Sequence, residues 1–208
     1  MRKNAASEKE VKPRKNNDLF QKRQMQIIKK ATKLFMKKGY AQTSMREISK
    51  ATGIDIRNLY YFIKSKEDIL FLVINMIHKP EIELFERPGI MDIDDPVEQL
   101  RTVIRELIDN GYDYGDEVLL LYRESKSLPK RLLKIILARE SQVVARIEEI
   151  LKKGMARKVF HCKDTSFTAN MIVYQLALRP LRRWNMKKYT KEEANNLLEN
   201  NVMKTVMI

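Results

Sequence analysis

Thr43 to Asp68 reads TSMREISKATGIDIRNLYYFIKSKED, and this stretch decides the fold. Met45, Ile48 and Ala51 recur at i, i+3 and i+6, the spacing of the inner face of a short helix. Thr43 or Ser44 can cap its start, with Glu47 placed three residues after Ser44 as a capping box requires. Gly53 ends the pattern, because glycine reaches positive φ at little steric cost. Asp55 then caps a second short helix holding Ile56, Leu59, Tyr60 and Phe62. Ser65, with Asp68 three residues on, caps the helix after that. Two short helices joined by a glycine turn predict a helix-turn-helix, whose second helix presents its N-terminal residues to a major groove. Spacing alone leaves an ordinary core hairpin open.

Charge bears on that choice. Residues 1–66 hold 18 Lys and Arg against 5 Asp and Glu, while the whole 208-residue chain is only +14. Nearly all the positive excess therefore surrounds the helix pair, the footprint of a polyanion-binding module. A basic segment can also touch anionic lipid, but no amphipathic anchor accompanies this one.

The remaining chain reads as helical throughout. It has 6 Gly, 6 Pro, 33% charged residues and few β-branched runs, a composition that favours helices over strands. One cysteine, Cys162, excludes an internal disulfide framework and fits a reducing cytoplasm. No apolar run approaches the roughly 18 residues of a membrane span, and the charged N-terminus lacks the apolar core of a signal peptide. Residues 1–17 have little to bury and read as a disordered basic arm. Asn17 or Asp18 is the expected cap of the first helix, which runs to Lys38 with Ile27, Ile28, Ala31, Leu34 and Phe35 inward. Lys66 opens a helix expected to run to about His78 and to break or kink there, ahead of Pro80. Further helices are expected from Asp95-Pro96, Asp116, Pro129, Asp164 and Thr190. The long one after Pro129 should bury Leu132, Ile136, Leu137, Val143 and Ile147. The one after Asp164 should bury Phe167, Met171 and Tyr174 and kink at Pro180.

The runs GYAQTSMREISKATGI (39–54) and NLYYFIKSKEDIL (58–70) closely resemble the DNA-binding domain of the TetR family of bacterial repressors. The resemblance implies an all-α chain with a helix-turn-helix head over residues 18–65 and a ligand-binding and dimerisation body over 66–208. It also implies DNA contacts. Tyr60, Lys64 and Lys66 match phosphate-contacting positions, and Thr43, Ser44 and Arg46 lie where a helix N-terminus attracts phosphate. Asp55, Ile56, Arg57, Asn58 and Tyr61 would face the groove, where Arg57 can take guanine and Asn58 adenine. Asp55, Ile56, Phe62 and Ile63 depart from the family's usual residues, which puts the operator sequence in doubt. The last two long helices would pair across a two-fold axis into a four-helix bundle.

Neither a catalytic set nor a metal-ligand spacing stands out, and His161 and Cys162 are chain neighbours rather than a dyad, so the chain reads as a non-enzyme. A small-molecule effector is implied instead. Residues 121–154 resemble regulators of fatty-acid and acyl-CoA metabolism, and Arg179, Arg182 and Arg183 beside Trp184 suit an anionic, purine-bearing ligand. An apolar pocket of Leu120, Tyr122, Met171, Tyr174 and Gln175, with Arg123 or Glu124 as polar handle, is expected to take such an inducer. The reading is thus a homodimeric cytoplasmic repressor released from a palindromic DNA operator. A non-specific architectural DNA-binding protein remains the alternative.

Overall fold

The computed structural model describes residues 14–208, and every described element of regular structure is helical apart from one isolated bridge between Phe160 and Met207. The helices are α1 (Arg14–Lys38), α2 (Met45–Thr52), α3 (Ile56–Phe62), α4 (Lys66–Glu86), α5 (Pro96–Asp113), α6 (Gly115–Glu124), α7 (Lys130–Ala156) and α8 (Thr165–Leu176). Two single turns, α9 (Leu178–Leu181) and α10 (Arg183–Met186), lead to α11 (Lys191–Val206). The expected basic arm lies, up to residue 13, outside the described residues. The first helix starts by Arg14, ahead of the expected cap at Asn17 or Asp18.

Most helix starts follow from side chains that satisfy otherwise orphaned amides. Ser44 and Thr190 form full capping boxes with Glu47 and Glu193. Asp55, Ser65, Asp95 and Asp164 each accept from a first-turn amide. Gly53 closes α2 at φ 70°, a left-handed conformation that a side chain would disfavour.

Two apolar clusters hold the chain together. One joins α1–α3 to the first half of α4 and to Leu120, Leu128, Leu132 and Ile136. The other lies among the second half of α4, α5, α7, α8 and α11. α4 does not end near His78 as expected but continues through Pro80 to Glu86. Proline in a helix interior costs about 3 kcal/mol. Beyond it Leu84 and Phe85 are buried in the second cluster, and each such burial is worth about 1.5–3 kcal/mol, enough to hold the helix together.

Several positions expected inside lie outside. Ala51 is exposed, and Leu137, Phe167, Met171 and Tyr174 are 56%, 68%, 41% and 58% exposed. Phe167, Met171 and Tyr174 of α8, continued by Leu178 at the start of α9, form an apolar stripe at helical spacing that the monomer leaves uncovered. α11 puts Leu198, Val202, Met203 and Val206 into the core but leaves Leu197 outside. Its Glu199 is buried against Arg101 and Arg105. Burial alone would raise that carboxyl, but the arginine hydrogen bonds outweigh it and hold it below the usual range.

Gly154 marks the tightest packing. A Cβ there would fall 1.9 Å from the Phe160 ring, and that ring is itself buried. Gly154→Ala should therefore destabilise the fold by about 1–3 kcal/mol through overpacking, despite alanine's better helix propensity. Chemical denaturation that gives an unchanged or higher midpoint would contradict this.

Candidate nucleic-acid interface and body cavities

The helix pair is braced from behind so that its outer side stays free. Ile48 and Leu59 are completely buried and fix α2 and α3 on α1 and α4. Lys38 from α1 pairs with Glu47. That hydrogen bond, with those from Ser44, brings the Glu47 carboxyl down to about 2. Gln24 of α1 donates to the Phe62 carbonyl at 3.2 Å. Phe20 packs on Tyr61 and Phe62, with ring centroids 5.8 and 5.1 Å apart. α1 thus sets the pitch of the second helix.

Ser44, Arg46, Asp55, Arg57, Asn58, Tyr60, Tyr61 and Lys64 are all exposed on this unit. Asp55 turns its carboxylate onto the Arg57 amide at 2.9 Å, so its charge caps the helix. Three expected contacts stand differently. Thr43 is buried and its hydroxyl donates to the Gly39 carbonyl at 2.8 Å. Ile56 is half-buried against the core. Lys66 donates to the carbonyls of Tyr40 and Ala41 at 2.9 and 3.3 Å and lies 4.4 Å from the Tyr40 ring centre. Its ammonium ties α4 to the turn before α2. Arg23 of α1 was not among the sequence-derived contacts, yet it lines a shallow groove with Asp55, Asn58 and Tyr61. Only the inward stripe of α1 is legible as periodicity, which gives no clue to this outward residue.

The ligand residues expected in the body do not form one pocket. Leu120 is buried in the cluster shared with α1–α3, while Arg123 is exposed and Gln175 half-buried. Arg179 and Arg183 line a cavity of about 710 Å³ with Lys29 and Lys33 of α1, Lys187, and Asp113, Asp116 and Glu117. Arg183 pairs there with Asp116 at 2.8 Å, and Arg179 lies 3.7 Å over the Tyr112 ring. Trp184 is 58% exposed with Arg182 against its ring, and it is not among the residues lining that cavity.

Of the expected pocket residues, only Tyr122 reaches the inner cavity of about 40 Å³ between α4, α5, α6, α7 and α8. Sequence reasoning missed the acids there, Glu81 and Glu140. Glu140 meets the buried His78 at 2.5 Å. Burial pushes the Glu81 carboxyl up to about 8, helped by the Glu140 charge and opposed by a hydrogen bond from Asn110. Burial also pushes the Tyr122 hydroxyl up to about 12.

The fold and the exposed helix pair define a helix-turn-helix DNA-binding transcriptional regulator. The profile described as bacterial regulatory proteins, tetR family, matches residues 27–73, and that of the tetracyclin repressor-like C-terminal domain matches residues 93–184. The chain belongs to the TetR family of transcriptional regulators. It is 32% identical over 111 residues to the HTH-type transcriptional regulator HbdR of Aromatoleum sp. (strain CIB), covering 53% of this chain and 48% of that one. It spans less than two thirds of the length of the curated relatives it matches. A bacterial regulatory protein of the tetR family from Rhodococcus RHA1 superposes with a TM-score of 0.81 at 19% identity, covering 89% of this chain and 97% of that one. AibR, solved in complex with isovaleryl coenzyme A and operator DNA, superposes with a TM-score of 0.68 at 24% identity, covering 87% and 96%. No described helix is long and apolar enough to cross a membrane.

Two expected outcomes follow from these sites. Arg57→Ala should cost about 1–3 kcal/mol of binding to a selected site and relax one base preference, whereas Lys64→Ala should weaken all duplexes alike and lower the salt slope by about 1. Fluorescence anisotropy across a salt series separates the two, and identical slopes with unchanged affinity would remove both roles. In the body, a carboxyl raised in the folded state binds more protons there than when unfolded. Its contribution to stability therefore falls as pH rises from about 4.5 to about 8. Glu81→Gln should match the wild type in Tm near pH 4.5 and exceed it increasingly up to pH 8, as thermal melts would read; a pH-independent difference would count against this assignment.

Proposed function

We propose that this chain is a homodimeric repressor that holds a palindromic operator and releases it when a small molecule enters the body. Residues 18–65 form the DNA-binding head, and residues 66–208 form the sensing and pairing body. The observation that carries this reading is the braced, outward-facing α2–α3 pair, with Arg46, Arg57, Asn58, Tyr60 and Lys64 exposed together. Its setting in the most basic third of the chain matches a duplex better than any other polyanion, because a short capped helix fits a major groove. Arg57 and Asn58 are the base-reading pair, and Ser44, Arg46, Tyr60 and Lys64 hold phosphates.

The stripe of Phe167, Met171 and Tyr174 on α8 and Leu178 on α9 supports pairing, since an uncovered apolar face at helical spacing is what a two-fold helical interface buries. An acyl-CoA or fatty acid remains the effector implied by the sequence. The cavity between α1 and the body supports it, where Lys29, Lys33, Arg179, Arg183 and Lys187 surround space large enough for a phosphorylated ligand. An effector there would touch α1 directly, and it would release DNA only through a higher affinity for the non-binding state.

Selection from random duplexes tests the core of the proposal. The recovered sites should be inverted repeats with half-site centres one helical turn, about 34–36 Å, or a multiple of it apart. Bound sequences without dyad symmetry would point to the architectural alternative.

A further inference from the structure

Arg57 and Tyr61 stand at i and i+4 on α3, one above the other on the row that points away from the buried Leu59 and Ile63. Arg57 has a role in the proposed base-reading pair and Tyr61 has none. Yet Tyr61 is the most exposed large apolar side chain of the helix pair, at 75% against 48% for Tyr60. Its ring is nevertheless held in place. It meets Phe20 of α1 edge-on, 5.8 Å between centroids and 79° between planes, and meets Phe62 at 5.3 Å. Phe20 and Phe62 pack on each other at 5.1 Å, so three rings close on one another. Phe62 is one of the positions that depart from the family's usual residues, so the resemblance does not imply this cluster.

A held, exposed ring on a groove-facing row is limited in what it can meet. The base edges of a major groove present donors and acceptors, with a single apolar group among them, the 5-methyl of thymine. A ring laid over a donor or acceptor leaves it desolvated and unpaired, which costs free energy. A ring laid over the methyl removes apolar surface from water, which stabilises the complex. The surroundings match the second case. The shallow groove of about 460 Å³ beside Tyr61 takes an apolar wall from Ile54 and Phe62 and a polar one from Arg23, Asp55 and Asn58. Asp55 accepts from the Arg57 amide, so its carboxylate is taken up in the helix cap. Asn58, three positions before Tyr61, borders the same groove and is the proposed adenine reader, and adenine brings thymine with it.

We infer that Tyr61 is a specificity-determining residue: its ring, positioned by Phe20, packs on the 5-methyl of a thymine at or next to the A·T pair that Asn58 reads. The inference deepens the operator-binding reading above and rests on it for the docking of α3 in a major groove. Phe20 acts through Tyr61, as a positioning residue, because it is one of the two rings that fix the Tyr61 ring. α1 thereby contributes to base choice from outside the helix pair.

The test takes duplexes selected from a random pool by the full-length protein and replaces each thymine in turn with deoxyuridine, which lacks only the methyl. One replacement per half-site should weaken binding about fourfold, the worth of one buried methyl, and the others should change little. Tyr61→Ala should bind the thymine and uracil duplexes alike, whereas Tyr61→Phe should keep the fourfold ratio. Phe20→Ala should shrink the ratio to about twofold or less. Tyr61 is exposed, so its loss should leave the fold standing, as an unchanged thermal melt would verify. Equal affinity for thymine and uracil at every position, or an undiminished ratio in Tyr61→Ala, would overturn the inference. So would a loss in Tyr61→Phe that is equal on both duplexes, by making the hydroxyl and a phosphate the contact. A ratio unmoved by Phe20→Ala would overturn its positioning role. Inverted repeats with no uracil-sensitive position sink the methyl contact alone. A uracil-sensitive, Tyr61-dependent position in sites without dyad symmetry sinks the paired-repressor reading alone, and a pool that yields no preferred sequence sinks both.

Discussion

The structure depends on one helix belonging to two cores. Ile69, Leu70, Val73 and Ile74 of α4 are buried with α1–α3, and Leu84 and Phe85 of the same helix are buried among α5, α7, α8 and α11. Ile77 lies between, packed with Val118 and Ala177. Close-packed interiors resist continuous deformation, so α4 cannot shift at one end without repacking at the other. The hydrophobic spine therefore does two tasks at once: it stabilises both ends of the molecule and couples them.

Leu120, Leu128, Leu132 and Ile136 extend the same point, because they come from the body yet close the cluster that supports the helix pair. Lys66, which begins α4, gives its ammonium to the carbonyls just before α2. A side chain at a phosphate-like position thus also fixes how the helix pair meets the spine. The angle at which Arg57 and Asn58 are presented is set by contacts that involve no DNA.

Local chemistry was legible in the sequence, and partner surfaces were not. Caps at Ser44, Asp55, Ser65, Asp95, Asp164 and Thr190 need only short-range rules, and each forms. Pro80 shows where local rules lose: its cost is fixed, but the burial of Leu84 and Phe85 that offsets it is a tertiary fact. Leu137, Phe167, Met171 and Tyr174 follow helical periodicity, yet periodicity cannot say whether an apolar stripe faces the chain's own core or a surface. The acids of the inner cavity were missed for a related reason. Glu81 and Glu140 lie 59 positions apart in sequence, and on paper each looks like one more solvated charge on an amphipathic helix. Only the packing of α4 on α7 brings them to one cavity.

That packing also sets what a ligand can do. A small molecule shifts a two-state protein only by its difference in affinity for the states, and moving a population from one extreme to the other takes about 5.5 kcal/mol. Apolar contact alone changes little when a helix slides by a fraction of a turn, because one methyl group replaces another. A charge placed beside a buried carboxylate is far more sensitive to position, since its interaction grows as water is excluded. Glu81 sits on the shared spine, past the point where it leaves the α1–α3 core, so a change in its charge bears on the one element that both ends must follow.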